Sequence, residues 1–363
     1  MGKSVVSVLK TSPENVIEDI KKLCSFAGIN EALDHSATTI IKDNITWHLH
    51  FPGANTTPWQ MEGTVCALRE NGFNDLSCVH NRTVVTDPFK GASNNRYEKL
   101  LDILGVPVLY NFRESDMRWI KYEPKSELPA LKKIFPEGIR VPDYFIGKNI
   151  IHLPTVKTHS YTTYTGALKN AFGGLLNSRR HYAHSWIHET LVDLLALQKE
   201  IHPGMFCLID GTTAGSGPGP RTLFPHEKNV ILASSDMVAA DAAAAKMMGF
   251  DPMDIKCIRL AHERGLGIGN IKDIEIRGDS DFFEKQCWEF KVGTNLATGT
   301  GRLLWHSPLR KIQKLFFRSP LCRLFVWASS FYHDRIWYNI TGKKRINKWE
   351  NENRWAELFK SYS

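Results

Sequence analysis

Short runs of β-branched and other apolar residues alternate with amphipathic stretches along most of the chain. The first run, residues 4–9, has strand character, and residues 13–27 after it have helical spacing, with Ser12 as the cap. Further strand-type runs lie at residues 38–42, 76–79, 106–109, 144–153, 205–209, 230–233 and 274–276. Strands that alternate with helices at this spacing predict parallel βαβ units.

The helices predicted between these strands lie at residues 58–70, 94–104, 166–172, 185–199, 237–248 and 252–264. The 237–248 stretch is rich in alanine, which predicts close packing against its neighbours. We therefore expect an α/β fold with one or more mixed, mainly parallel sheets flanked by helices. The α/β body spans residues 1–301, either as one unit or as two lobes of about residues 1–140 and 141–301.

The composition changes at the C-terminal extension, residues 302–363. This segment holds 13 aromatic residues and 13 Lys or Arg against 4 Asp or Glu, a net charge of +9, while the remaining residues carry −1. The pattern predicts short amphipathic helices that pack on the body or on a second copy of the chain, in a homodimer. An anionic membrane surface is the competing partner, because Lys and Arg flank Trp in helices that lie on membranes.

Composition also excludes or disfavours several classes of protein. The seven cysteines are scattered and form no C-x-x-C pair, which argues against a disulfide framework and against a cysteine-bound iron–sulfur cluster. There is no secretory signal pattern and no run of about 18 apolar residues, so we expect a cytoplasmic protein without a membrane span. No nucleic-acid partner is expected.

The first candidate segment runs from His152 to Gly174. A strand ends in a polar stretch with Lys157 and His159, and the glycine-opened turn T-G-A-L-K-N then presents Lys169 and Asn170. Lysine and histidine together suit proton transfer or the binding of an anion, since a lysine beside another cation can act as a base or nucleophile. The alternative is a solvated loop with surface lysines.

The second candidate segment carries three histidines. If it is helical, His181, His184 and His188 share one face and could hold a divalent transition metal, because neutral imidazole suits zinc, iron, nickel or copper. The alternative is a set of ordinary, partly buried polar residues.

The third candidate segment follows a predicted strand that ends at Asp210. Its residues 211–219 are rich in Gly, Ser and Thr, so Gly211, Ser216 and Gly217 are candidates to bind an anionic group through backbone N–H. The spacing fits neither a dinucleotide fingerprint nor a P-loop, so we expect no NAD and no flavin dinucleotide. The alternative is a long flexible connection. A fourth segment offers Asp236 as a helix cap and Asp241, which we expect to point towards the third segment.

These segments, in this order, resemble the family named domain of unknown function 362. The matching stretches are Ile40–Asn44, Lys157–His159, Thr165–Gly173, Phe206–Gly217, Asp236–Asp241, 248–252 and 264–267. The resemblance implies an α/β fold and an unassigned activity. Many relatives carry iron–sulfur segments, which this chain lacks. The turn at Lys169 is also similar, more weakly, to that of the nickel-pincer lactate racemases, where a lysine tethers the cofactor; Phe172 replaces the proline of that turn.

Two functions follow from these patterns. The first is an enzyme acting on a small anionic metabolite, with His159 and Lys169 in acid–base roles and Asp210 orienting them or joining a metal shell. We expect these three side chains to converge in one pocket at strand carboxyl ends. The second is a non-catalytic binding or assembly protein that docks through its basic, aromatic extension.

Overall fold

The computed structural model describes residues 3–83, 85–176, 180–295, 299 and 321–363, with the backbone alone for 180–182, 321 and 322. The strands are β1 (Ser4–Lys10), β2 (Thr39–Lys42), β3 (Leu76–His80), β4 (Val108–Tyr110), β5 (Trp119–Tyr122), β6 (Ile139–Pro142), β7 (Asn149–His152), β8 (Thr155–His159), β9 (Thr163–Thr165), β10 (Met205–Ser216), β11 (Phe224–Glu227), β12 (Val230–Ser234) and β13 (Ile274–Gly278). The helices of the body are α1 (Val16–Phe26), α2 (Ile29–Ala32), α3 (Pro58–Glu70), α4 (Pro88–Asn94), α5 (Tyr97–Ile103), α6 (Pro129–Ile134), α7 (Ala167–Leu175), α8 (Ile187–Ile201), α9 (Met237–Met248), α10 (Lys256–Glu263) and α11 (Ser280–Lys285). The extension contributes α12 (Leu321–Phe331), a π-helical segment (Tyr332–Gly342), α13 (Lys343–Glu352) and α14 (Arg354–Ser361).

Eleven of the described strands form one mixed sheet with the main order β13-β1-β12-β10-β7-β2-β3-β4. The neighbours from β10 to β4 are all parallel, whereas β12 runs antiparallel to both β1 and β10. The expected mixed, mainly parallel sheet is therefore confirmed. Strands from both sides of residue 140 alternate in this sheet, since β2 pairs with β7.

Alternate residues of the central strands face two separate cores, one on each side of the sheet. In β7, Ile150 faces the core formed with α7, α8 and α9, and Ile151 faces the core formed with α1 and α3. Almost every residue of α9 is buried, and its run of alanines allows the close packing that the sequence predicted. The fold is therefore a sheet covered by helices on both faces.

Strand β10 corrects the expectation of a flexible loop after residue 210. It continues to Ser216 because its second half pairs with β8 and β11 and is buried. A Cβ atom on Gly211 would lie 2.9 Å from a Val230 methyl, and one on Gly215 would lie 2.7 Å from Leu223. A side chain at either position would therefore force a neighbouring residue to shift.

The C-terminal extension packs on the body, as predicted, over its described part. Trp355 is fully buried, its ring lies 5.1 Å from that of Trp59, and its Nε1 donates to Asn229 Oδ1 at 2.7 Å. Trp349 is buried as well, and its Nε1 donates to Thr213 Oγ1 of β10 at 3.3 Å. Residues 302–320 lie outside the described part. No helix in the described ranges is long and apolar enough to cross a membrane.

Candidate functional site

A cavity of about 290 Å³ lies where β2, β3 and β8 end. Its described walls include residues 43–46 after β2, residues 81, 83, 85 and 86 after β3, several residues between 159 and 173 from β8 through α7, residues 218–221 after β10, and residues 325, 326, 329 and 333 of the extension. Crevices at the carboxyl ends of parallel strands are where open α/β sheets bind ligands. The cavity brings together His159, Lys169 and Asn170 of the residues proposed from the sequence.

His159 is the last residue of β8 and is buried in the cavity wall. Its Nδ1 accepts hydrogen bonds from the backbone N–H of Tyr161 at 3.2 Å and of Thr162 at 3.3 Å. Burial, followed by the positive charge of Lys169, lowers the pKa of His159 well below its usual value. The ring is therefore neutral, and Nε2 is the nitrogen that carries the proton.

Lys157 lies behind this wall. The sequence predicted a polar loop here, but β8 is a buried strand, since all five of its residues are inaccessible to solvent. Lys157 Nζ donates to Thr155 Oγ1 at 2.6 Å and to Asn44 Oδ1 at 3.1 Å. Burial, with the charge of Lys169 second, lowers its pKa well below the usual value. Lys157 therefore reaches the cavity through Asn44, which is part of the lining.

The start of α7 is held by a carboxylate from another helix. Asp241 of α9 accepts the backbone N–H of Ala167 at 2.6 Å on one oxygen and that of Leu168 at 3.0 Å on the other. A Cβ atom on Gly166 would lie 2.2 Å from Asp241 Oδ1, so only glycine fits. The expectation that Asp241 faces the third segment was wrong, because it caps the helix that carries Lys169.

Helix α7 then places Lys169 and Asn170 in the cavity wall. Lys169 Nζ lies 5.3 Å from the centre of the Phe172 ring. Asn170 is buried; its Nδ2 donates to the Lys42 carbonyl at 2.8 Å, and its Oδ1 accepts from Asn44 Nδ2 at 3.2 Å. These two bonds tie α7 to the end of β2, so the lysine sits on a rigid support.

A buried ion-pair network forms the floor beside β2 and β3. Asp43 is 1% exposed, and its two oxygens lie 2.9 Å from Lys42 Nζ and 2.9 Å from His80 Nδ1. Burial opposes ionisation of Asp43, but the charges of His80 and Lys42 outweigh it and hold its pKa below the usual range. Asp43 is therefore ionised and already neutralised by its neighbours.

Asp43, Cys78 and His80 have ligand atoms within 4.8 Å of one another, the spacing of a metal site. The chemistry does not fit a metal. Both carboxylate oxygens of Asp43 are engaged, one by the ammonium of Lys42. Burial, and then the charge of Asp43, raises the pKa of Cys78 well above its usual value, whereas a metal requires the thiolate. This cluster stabilises the cavity floor.

Asp210 lies away from the cavity. It is buried, accepts from Thr57 Oγ1 and from Trp59 Nε1 at 3.0 Å, and its other oxygen accepts the Thr212 N–H at 2.6 Å. The expectation that Asp210 shares a pocket with His159 and Lys169 was wrong. Its hydrogen bonds join β10 to the start of α3, which gives it a structural position.

The residues proposed after Asp210 are placed differently as well. Gly211 is inside β10, and Ser216 and Gly217 line a separate, more open depression, where Ser216 Oγ is 2.8 Å from His226 Nε2. The main cavity instead receives the residues that follow, 218–221.

The three histidines of the second segment do not lie on one α-helix. Arg180–Trp186 is a 3₁₀-helix and α8 begins at Ile187, so the helical repeat changes between His184 and His188. His184 lines the cavity, with its ring 5.9 Å from that of Tyr161. The side chain of His181 lies outside the described part. The three-ligand group found in the described residues contains neither His184 nor His188.

Two cavity residues were missed from the sequence. Arg221 is half-buried, and its Nη1 has no hydrogen-bond partner among the described residues although solvent does not reach it. Burial lowers its pKa to about 10. His333 is 4% exposed, and its Nδ1 donates to the Ser329 carbonyl at 2.7 Å, which leaves Nε2 as an acceptor. Burial, then Arg221, lowers the pKa of His333 to about 3. Neither Arg221 nor His333 lies in a sequence motif that could have identified it.

A family model matches residues 39–246, which is more than half of the chain. The family is described as a domain of unknown function, DUF362. This chain belongs to the DUF362 family. The chain is also 26% identical over 182 residues to thylakoid-associated protein sll1697 of Synechocystis sp.. That alignment covers 48% of this chain and 52% of the relative, so the chain spans about half of the relative's length. No solved structure matches significantly.

The DUF362 match explains which parts of the site have a sequence signature. Gly166 and Asp241 lie within it and meet in space, so the T-G-A-L-K-N and D-x-V-A-x-D-A motifs form one structural unit. The extension lies outside the match, yet Phe325 and His333 complete the cavity. The DUF362 region therefore supplies Lys169 and His159, and the extension supplies a wall of its own.

Proposed function

We propose that this DUF362 protein is an enzyme that binds a small anionic metabolite in the cavity and transforms it by acid–base chemistry. The observation that carries the proposal is the guanidinium of Arg221, which is withdrawn from solvent at Nη1 without a partner in the described residues. The charge of Asp334 partly offsets the effect of burial on the pKa of Arg221, but Nη1 has no acceptor among the described residues. A buried N–H without an acceptor is costly, and a bound carboxylate or phosphate would supply one.

The charges around the cavity support an anionic ligand. Lys169 and Arg221 line it. Among the described lining residues Asp43 is the one carboxylate, and it is paired with the ammonium of Lys42 and lies 2.9 Å from His80 Nδ1. The cavity therefore presents excess positive charge that attracts an anion and repels cationic ligands.

The two neutral histidines offer complementary atoms for the reaction. His159 Nε2–H can donate a hydrogen bond to negative charge that develops on the ligand, and His333 Nε2 can accept a proton from it. A bound anion raises the pKa of both rings, which moves His333 towards the range of a useful base. Lys169 is the further group that can carry a proton.

His159 and His184 also share the cavity, so a divalent transition metal held there by imidazole would act as a Lewis acid.

Thermal unfolding against a panel of small carboxylates and phosphates tests the binding step, because a ligand of the native state raises its stability by mass action. Anions that stabilise the wild type should fail to stabilise Arg221→Gln. The exposed Arg118→Gln is the matched control and should respond like the wild type. If Arg221→Gln responds equally well to every anion, the proposed site is wrong.

Each stabilising anion is then incubated with the protein and followed by NMR. His159→Gln should retain binding and lose conversion, and elemental analysis of protein purified without added metal decides between the metal-free and metal-assisted forms. Conversion by His159→Gln at the wild-type rate would remove His159 from the mechanism.

The second candidate is a non-catalytic binding or assembly protein that docks through its extension. The exposed apolar side chains of α12 favour it, and the matched relative is named as thylakoid-associated. In that case extension variants lose docking, and no anion is converted by the wild type.

A further inference from the structure

The outer face of the extension carries a stripe of exposed apolar side chains. Leu324 and Trp327 on α12 are 60% and 61% exposed, and Ile340 at the end of the π-helical segment is 60% exposed. The full stripe is Leu324, Trp327, Phe331, Ile336 and Ile340. Its members follow one another at intervals of three, four, five and four residues, which keeps them on one side as the helix widens to π geometry.

The opposite face of the same helices is fixed on the body. Phe325, Ser329 and His333 face the cavity. Asp334 accepts a hydrogen bond from Trp47 Nε1 at 2.7 Å, and the ring of Trp337 lies 5.6 Å from that of Phe51. The stripe is therefore held outward by packing on its inner side, and no residue in the described ranges covers it.

The charges beside the stripe are basic. Arg323 on α12, Arg335 on the π-helical segment and Lys343 and Lys344 at the start of α13 are exposed. The one acidic residue between positions 321 and 343, Asp334, is half-buried and already paired with Trp47. In sequence, residues 302–320 add five more Lys or Arg and no acidic residue.

We propose that this stripe docks on an anionic lipid surface, with the helices lying in the plane of the interface. Exposed Trp and Leu would enter the boundary between head groups and acyl chains, while the neighbouring Arg and Lys bind the anionic head groups. A second copy of the chain fits less well. A two-fold contact through the stripe would bring these basic residues together without acidic partners from the same face.

Vesicle flotation tests the proposal directly. The purified full chain is mixed with phosphatidylcholine vesicles, or with vesicles of equal parts phosphatidylcholine and phosphatidylglycerol. The wild type should float with the anionic vesicles alone and dissociate at high salt, because exposed charges are screened. Reversing Arg323 and Lys344 to Glu should weaken binding by more than about fivefold per removed charge.

Trp327→Glu tests the apolar part, with Ile103→Glu as the matched control. Ile103 is 71% exposed on α5, outside the extension, so both changes place a glutamate at an exposed apolar position. Trp327→Glu should bind anionic vesicles at least about tenfold more weakly, whereas Ile103→Glu should bind like the wild type. Both should unfold at the wild-type temperature.

Three results would overturn the proposal. One is equal flotation with neutral and anionic vesicles, or none with either. Another is equal binding by Trp327→Glu and Ile103→Glu. The last is a wild type that is a dimer by light scattering, a Trp327→Glu variant that is a monomer, and no vesicle binding by either protein. That result would assign the stripe to a second copy of the chain.

Discussion

Replacing Asp241 by Asn tests how helix α7, which carries Lys169, is held. Asp241 is buried and accepts backbone N–H groups from Ala167 and Leu168. An asparagine of the same shape can accept one of these bonds, but its amide nitrogen faces the other N–H. Below about pH 5, wild-type Asp241 is protonated. There the variant should be less stable than the wild type by about 1–3 kcal/mol, because one buried N–H donor is left unsatisfied.

The pH dependence of this stability difference shows whether burial or hydrogen bonding dominates the pKa of Asp241. Burial raises the pKa of Asp241 to about 7 from its ordinary 3.8, although the two amides favour the ionised form. In the unfolded chain the group ionises near pH 4, so between about pH 4 and 7 the unfolded state binds fewer protons and wild-type stability falls as pH rises. The difference between the folded and unfolded pKa values of Asp241 corresponds to at most about 4 kcal/mol of folding free energy.

Urea unfolding of wild type and Asp241→Asn at about pH 5 and about pH 8, followed by circular dichroism, measures both effects. The advantage of the wild type should shrink or reverse at the higher pH, because the variant does not titrate. Asp279→Asn is the control, since Asp279 also accepts a backbone N–H, from Lys10 at 2.7 Å, at a partly exposed position. The same difference at both pH values would show that the amides keep Asp241 ionised in the native protein.

Gly166→Ala should destabilise the fold by about 1–3 kcal/mol or more, because its Cβ would lie 2.1 Å from Tyr164 Oη; Gly299→Ala, at a position with open space and no positive φ, is compared in the same thermal melt. Trp355→Ala should cost about 3–5 kcal/mol in urea unfolding, and an equal cost for exposed Trp327→Ala would contradict the packing described for the extension. Arg221→Gln should leave the protein as stable as the wild type or more stable without ligand, and a loss above about 1 kcal/mol would mean that the guanidinium has a partner.

The sequence predicted the elements whose structure is determined by the local pattern of apolar and polar residues. The β-branched runs gave most strands of the sheet, and the alanines of α9 gave its close packing. The loop assignments after residues 153 and 210 failed for one reason: Thr, Gly and Lys indicate loops locally, but β8 and the second half of β10 are strands because neighbouring strands bury them.

The site was predictable where it coincides with a motif. His159, Lys169 and Asn170 follow one strand closely in sequence, and the cavity contains all three. Asp210 was misplaced because the strand does not end there: it lies inside β10, and its side chain bonds to the start of the neighbouring helix α3. Arg221 and His333 line the cavity because segments distant in sequence pack together there. The spacing of residues along the chain does not predict such contacts.

The position of β1 in the sheet has a consequence for synthesis on the ribosome. Residues 4–10 lie between β12 and β13, so β1 acquires these two neighbours only after residues 230–234 and 274–278 have emerged. Trp59 likewise meets Trp355 only after residue 355 has been translated. Loop closure over such separations is slow. During translation, the apolar strand β1 and helix α3 would remain open to chaperones, and nascent chains stalled before residue 230 should be digested readily by protease.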